Sequence, residues 1–516
     1  MAILLGIDLG TSGVKTILLD ADSKRLLGSC LVEYPLLTPR PGWTEQEPEA
    51  WWSATVASIQ GALARAGADS SAIAGIGLSG QMHGSVFLDA AGRVIRPALL
   101  WNDQRTGDQC GWITRAVGQT LLREEVCNPI LTGFQAPKIV WLRDEEPANF
   151  DRVRHVLLPK DYLRYKLTGE FATEVSDAAG TALLNVPGRD WSTKVLDKIG
   201  LPAAWFPKVY ESPEVSGTVT AEVAELTGLK SGTPVVGGAG DCAAGAVGTG
   251  IVRPGLLWAS TGTSGVIFAS ADEPATDPSL RTHTFCHAVP GKWHVMGVML
   301  SAGGSLRWYR DALAGEEKNV AALTGQDPYE LITAAAAQAP LGCEGLVFAP
   351  YLTGERAPYP DPNARGAFLN LSLRHDKRHM ARAVLEGVAM GLRDSVEIMK
   401  AGGVPINEVR ASGGGARSPL WRQIQADVFG LPITTINIEE GPALGVALLA
   451  GVGAGLWDSV ESACDAMIET ATVTEPIAAN VDAYEQVYRE LYTEAYPALR
   501  EGFARAAAVV ERLAAR

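Results

Sequence analysis

The sequence predicts an α/β protein with two duplicated domains around a cleft, and three observations carry that expectation. At 516 residues the chain is too long for one ordinary core, so two domains are the natural division. Strand-like and helix-like runs alternate along it, the pattern of an α/β fold. The pentapeptide GTSGV occurs twice, at Gly10–Val14 and Gly262–Val266. Each copy lies between two strand-like runs, as an internal duplication of a nucleotide-binding unit would leave it.

ILLGIDLG and VKTILLD flank the first GTSGV turn and predict a β-hairpin. The stretch from Glu47, EPEAWWSATVASIQGALARAG, has acidic residues at its start and apolar spacing near 3.6, so it predicts a helix. IAGIGLSG reads as a buried strand running into a loop. In the second half PGLLWASTGTSGVIFAS repeats strand–turn–strand. HMARAVLEGVAMGLRDSVEIMKAGG, from His379, predicts a long amphipathic helix closed by Gly402 and Gly403. VRASGGGARSPLWRQIQADVFG predicts strand, glycine loop and helix, and the chain from about Val481 is helical and charged. A boundary near 245–256 divides the chain into domains 1–248 and 249–516.

Composition excludes several function classes. The net charge is −14 and no Lys/Arg-rich run occurs, which argues against nucleic acid as a partner. Seven scattered cysteines with no CxxC form neither a disulfide framework nor a zinc module and suit a reducing compartment. Asp8 interrupts the first apolar run and no basic segment precedes it, so no secretion signal is expected. The longest uncharged stretch, Gly441–Trp457, holds five glycines. It reads as a close-packed buried helix rather than a membrane span, and a cytoplasmic protein is expected.

The chemistry gathers on a few loops. A Gly/Thr/Ser turn exposes backbone N–H groups and hydroxyls that can surround phosphate oxygens. Asp8, two residues before Gly10, suits Mg²⁺, which is shared between a carboxylate and phosphates. Thr263 and Ser264 would supply the matching contacts from the other domain. No GxxxxGK[ST] loop is present. GIGLSG at Gly75–Gly80 matches GxGxxG, but a loop and a strand follow it where a dinucleotide fold needs a helix. SGGGAR, Ser412–Arg417, lets a flat ring approach the backbone, or is simply a tight strand–helix connection. Asp241 in GGAGDCAAGAVG is either the N-cap of an Ala-rich helix or a carboxylate that accepts a proton from a substrate hydroxyl; the local pattern alone favours the cap. QMHG, Gln81–Gly84, and WNDQR, including Trp101 and Asn102, offer hydrogen bonds to a polyhydroxy ligand. His283, Cys286, His287 and His294 fall on two strands around a Pro-Gly turn, where alternation points them apart rather than at one metal.

As a set, GIDLGTSGVK, QMHG, LLPKDYLRYKLTGEF, SDAAGT, GGAGDCAAGAVG, STGTSGV, TFCHAVP, PYLTGERAP, RAVLEGV and GGGARS resemble the FGGY family of carbohydrate kinases along essentially the whole chain. QMHG and RAVLEGVAMGLRD are closer to the branch that acts on D-xylulose than to the one that acts on glycerol. Three positions depart from the usual pattern: Gln135 stands where Ser, Thr or Pro is usual, Asn370 where Gly is, and Cys242 where Asn often is.

The resemblance implies an actin-like ATPase (ribonuclease H-like) fold and transfer of phosphate from MgATP to the terminal hydroxyl of D-xylulose. It makes Asp241 the general base, Asp8 the Mg²⁺-organising carboxylate, and Met82 and His83 the ketose contacts, with Gln81, Trp101 and Asn102 beside them. Thr11, Ser12 and Gly13 would hold phosphates from one side, joined by Lys15, and Thr261, Gly262 and Thr263 from the other. Gly303, Gly414, Gly415 and Ser418 would line the nucleotide site. It leaves a homodimer open. The alternatives are a sibling ribulose or glycerol kinase, an actin-fold ATPase without a sugar, or, resting on GIGLSG alone, a nicotinamide dehydrogenase.

Overall fold

The structure, a computed structural model, describes residues 2–438 and 440–514. The first half builds one mixed sheet. Strands β1 (Ile3–Leu9), β2 (Gly13–Asp20) and β3 (Arg25–Glu33) form an antiparallel meander. Helix α1 (Pro48–Ala66) crosses back to β4 (Ile73–Gly80), which lies parallel to β1. Pro48 opens α1 where its missing N–H has no consequence, and Gly67 ends it in the left-handed region. Helices α2 (Gln135–Glu145) and α3 (Pro159–Thr168) follow, and then β5 (Val215–Thr218), β6 (Pro234–Val236) and the short β7 (Ala239–Gly240) complete the sheet. Its order is β5-β6-β4-β1-β2-β3, with β7 also on β4. The central β1 is apolar on both faces because both faces are covered.

Helix α4 (Asp241–Gly248) leads into the second half. There β8 (Gly255–Thr261) and β9 (Gly265–Ala271) form the second hairpin. β10 (His283–Cys286) and β11 (Trp293–Met299) extend that side. Helix α5 (Gly303–Ala312) follows, and the long α6 (Lys377–Ala401) crosses to β12 (Ile406–Ser412), parallel to β8. Helix α7 (Pro419–Phe429), β13 (Ile433–Ile436), helix α8 (Gly441–Gly453) and β14 (Thr470–Thr474) complete the half. The order is β10-β11-β9-β8-β12-β13-β14. In both sheets a GTSGV hairpin is extended by an antiparallel strand, β3 in the first and β11 in the second, where β10 lies outside β11, and a parallel strand joins on the far side of the hairpin's first strand. The duplication read from five residues is therefore a duplication of topology.

The uncharged stretch from Gly441 is α8, buried along most of its length. Although it belongs to the second half of the sequence, α8 lies on β1 and β4 of the first sheet. Two sheet glycines admit it: a Cβ on Gly6 would stand 2.0 Å from the Ala443 carbonyl oxygen, and one on Gly77 1.9 Å from that of Val446. The other side of α8 meets α4 as closely, since a Cβ on Gly445 would lie 1.8 Å from the Ala244 carbonyl oxygen. No described helix is long and apolar enough to cross a membrane.

A second seam joins the halves at β10. Asn128 donates from Nδ2 to the Thr284 carbonyl at 2.8 Å, and its Oδ1 lies 3.0 Å from His283 Nδ1. The four residues considered for a metal are spent in packing: His294 stacks on Phe268, His287 lies 2.8 Å from the Ile251 carbonyl, and Cys286 faces the Val186 carbonyl.

The α4–α8 contact predicts that Gly445→Val lowers the melting temperature by at least about 5 °C, because overpacking a filled contact is strongly destabilising. An unchanged melt by scanning calorimetry would refute the contact.

Candidate active site

The first hairpin turn is braced from behind. Gly10 N–H donates to the Gly13 carbonyl at 3.0 Å, and the Tyr34 hydroxyl donates to the Gly10 carbonyl. Gln46 donates from Nε2 to the Thr11 carbonyl at 2.7 Å. Ser12 is left exposed at the tip, and Gly13 is pressed against β3, where a Cβ would lie 2.7 Å from the Val32 carbonyl oxygen.

Register sets Asp8 opposite Lys15 on β2 and Ser79 on β4. Its Oδ1 is shut off from solvent and, among the described residues, has no hydrogen-bond partner within 3.5 Å, and the Ser79 hydroxyl only partly opposes the effect of burial. Burial, and then the charge of Asp241, push its pKa up to about 7. A sealed, partnerless carboxylate oxygen is a fitting donor for a hard divalent cation. Lys15 already has a partner: its Nζ pairs with Glu440 Oε2 at 2.5 Å, a contact between the halves.

Asp241 sits where β7 passes into α4. The N-cap reading is corrected here. Gly240 is the N-cap and Asp241 the first helical residue, its Oδ1 accepting the Cys242 N–H at 2.7 Å. Burial raises its pKa to about 6. The Cys242 thiol beside it is pushed well up, by burial and then by the Asp241 charge. In front of Asp241, Met82 packs on Gly240, and both Met82 and His83 close on Gly180. His83 Nδ1 lies 2.6 Å from the Gly180 carbonyl, so that nitrogen carries the proton, and burial keeps the ring neutral.

Gln81, Trp101 and Asn102 are engaged within the protein. Trp101 Nε1 donates to Thr11 Oγ1 at 2.9 Å, and Gln81 Nε2 to Gln46 Oε1 at 2.9 Å. These bonds wire the QMHG loop to the first hairpin. Asn102 accepts from the Thr44 hydroxyl at 2.7 Å.

The second hairpin opens on a cavity of about 640 Å³. Thr261, Gly262, Thr263, Gly303, Gly414, Gly415 and Ser418 all line it. Gly303 N–H donates to the Gly262 carbonyl at 2.8 Å, and a Cβ on Gly415 would lie 2.6 Å from that of Thr261. The rest of the wall includes Leu306, Arg307, Tyr329 and Leu420, none of which motif reading singled out.

Behind Asp241 lies a buried charged network that sequence reasoning also missed. Lys160 Nζ is 2.7 Å from Asp161, 3.4 Å from Glu174 and 3.4 Å from Asp177. Burial pushes Asp177 well up although Lys160 opposes the shift. The available signal was the Lys160/Arg164 spacing, which puts two cations on one face of α3. From the second half, PYLTGERAP contributes Arg356, whose charge acts on His83, His283 and Cys242. Two of the departures also resolve. Gln135 starts α2 and donates to the Gly84 carbonyl at 3.0 Å. Asn370 takes φ +64°, a conformation Asn tolerates better than most side chains.

Two sheets of matching topology, each built on a glycine hairpin, define an actin-like ATPase fold. The chain belongs to the FGGY family of carbohydrate kinases, whose N-terminal domain matches residues 3–248 and whose C-terminal domain matches residues 257–454. It is 38% identical to a xylulose kinase of Bacillus subtilis over 485 residues, 94% of this chain and 95% of the relative. It is 42% identical to one of Escherichia coli over 451 residues, 87% and 90% of the two chains. A crystal structure described as a xyloylose kinase from Brucella ovis superposes with a TM-score of 0.89 at 39% identity, covering 97% of this chain and 99% of that one. Kinases of this family use ATP, generally with a divalent metal.

With both partners of the Lys15–Glu440 pair partly exposed, 36% and 20%, Lys15→Met should cost at most about 1 kcal/mol. Denaturant melts that show a much larger loss would mean that the pair holds the halves together.

Proposed function

We propose that this chain phosphorylates D-xylulose with MgATP, giving D-xylulose 5-phosphate and ADP. The observation that carries the reading is Asp241 at the start of α4, next to Gly240, which packs on Met82, with its charge acting on Asp8 beside the first hairpin and its carboxyl pushed up to about 6. The full-length similarity to xylulose kinases supports the choice of sugar. Seven free cysteines suit a cytoplasmic setting.

In this reading Met82 and His83 hold the ketose in domain 1–248, and the neutral imidazole presents Nε2 as an acceptor for a sugar hydroxyl. Thr11, Ser12 and Gly13 face the phosphates from one side and Thr261, Gly262 and Thr263 from the other. Gly303, Gly414, Gly415 and Ser418 line the nucleoside end in domain 249–516. Asp241 takes the proton of the terminal hydroxyl as its oxygen bonds to the γ-phosphorus, and the bond to the ADP oxygen breaks. Asp8 would hold Mg²⁺, which supplies charge neutralisation at the phosphates when bound. Closure of the cleft excludes water from the transfer.

Initial rates on a panel of ketoses and polyols test the substrate. D-xylulose should give the highest kcat/KM, and a clear preference for ribulose or glycerol would overturn it. Cys242, next to the base where xylulokinases often carry Asn, is the feature that favours a sibling sugar.

The base assignment has its own test. A carboxyl with a raised pKa is protonated, and useless as a base, below that value. Activity should therefore rise with pH through about 6. Asp241→Asn should abolish that limb and lower kcat by roughly 10²–10⁴-fold, the usual contribution of a general base, while ATP affinity stays near normal. Turnover within about tenfold of wild type, or an unchanged acid limb, in the variant would remove the assignment.

A further inference from the structure

We infer that Lys138 is a positioning residue that aims His83 at the sugar. The inference rests on the reading of the Met82–His83 loop as the sugar site. Lys138 lies on α2 and is fully buried. Its Nζ donates to two backbone carbonyls, His83 at 2.8 Å and Gly133 at 2.6 Å. Among the described residues it has no ion-pair partner within 4 Å, and the charge of Asp103 only partly offsets the cost of burying it. Burial lowers its pKa to about 7. A core methionine would fill the same space without that penalty, so the ammonium is retained for what it holds.

What it holds is strained. His83 has φ +70°, a region that side chains with a Cβ rarely occupy unless the surroundings fix them there. Lys138 fixes the carbonyl end of that residue. Two further contacts fix the ring: Nδ1 on the Gly180 carbonyl at 2.6 Å, and the Phe134 ring at 4.7 Å between centroids. Phe134 follows Gly133, the other acceptor of Lys138. Gly133 in turn backs onto Trp101, where a Cβ would lie 2.6 Å from the carbonyl oxygen. One ammonium therefore ties the backbone of His83 to the turn that carries its stacking partner. Because Nδ1 faces a carbonyl it must donate, which leaves Nε2 as an acceptor of fixed direction. A site that accepts from a particular hydroxyl discriminates strongly against ligands that lack it.

The test uses the full chain with Lys138→Met, which keeps the length and loses the donor, and Lys138→Arg, which keeps donors. The sugar is whichever member of the panel the wild type turns over best, so a wrong substrate does not confound the result. Lys138→Met should raise the sugar KM at least about tenfold and leave the ATP KM within about twofold, with a smaller rise for Lys138→Arg. A second readout needs no turnover: in ¹⁵N-histidine spectra, with His83 assigned through His83→Gln, the wild type should show the neutral Nδ1–H tautomer and both Lys138 variants a displaced signal. A sugar KM and a His83 signal that stay unchanged in either folded variant overturn the inference. So does a parallel rise in both KM values, which a general loss of structure would produce.

Discussion

The molecule depends on the close backbone approach of α8 to the first sheet on one side and to α4 on the other. Carbonyl oxygens of α8 stand where side chains of β1 and β4 would otherwise be, and Gly6 and Gly77 leave the space. Gly445 does the same toward α4, and Gly245 of α4 sits under the Trp258 ring of β8. The helices thus cross between halves, α8 onto the first sheet and α4 toward the second. Contacts this close are dense in dispersion and intolerant of added volume. The contact is antiparallel, with Gly441 at the start of α8 against Gly248 at the end of α4 and Gly445 against Ala244, so Asp241 begins α4 at the far end of the seam from Glu440, the partner of Lys15. The N-terminal end of α4 also lends its partial positive charge to the Asp241 carboxylate, opposing the effect of burial.

That placement has an electrostatic consequence. Asp8, Asp241 and Asp177 are carboxyls that burial drives upward. A fold selected only for stability would not gather them, since each ionised group is poorly solvated there. Lys160 offsets part of the charge at Asp177, Asp161 and Glu174, and Arg356 arrives from the other half. Perturbed carboxyls concentrated at one cleft are what proton transfer near neutral pH calls for.

Both hairpins, β4, β12, α1, α6 and the buried α8 were legible because apolar period and glycine punctuation act locally. The residues around the 640 Å³ cavity were legible only as far as the glycines: Thr261, Gly262, Gly303 and Gly414 stand in recognisable turns, whereas Arg307 and Tyr329 enter from helices whose facing direction no motif encodes. Lys138 and Lys160 look like ordinary helix-surface lysines in sequence, and only tertiary burial reveals them. For Asp241 the local pattern alone favours a cap, because a small-residue run before an Ala-rich helix is a capping pattern whichever residue takes the cap; the cap is Gly240, and Asp241 is the first helical residue. Gln81 and Trp101 have the right chemistry for a sugar, but the hairpin claims their polar atoms first.

The two GTSGV copies carry the last step. Register makes Ser260 the counterpart of Asp8: each lies two residues before its glycine and pairs with the parallel strand, Asp8 with Ser79 and Ser260 with Ser412. The backbones are equivalent and the side chains are not. Ser412 accepts from the Trp258 indole at 2.7 Å, which closes the second copy on itself, whereas Asp8 keeps a sealed oxygen with no hydrogen-bond partner among the described residues. The two turns share a backbone and a register and differ at the second residue before the glycine, a buried carboxylate that carries charge in the first and a neutral hydroxyl in the second; a second carboxylate at Ser260 would add a further anion whose burial costs free energy.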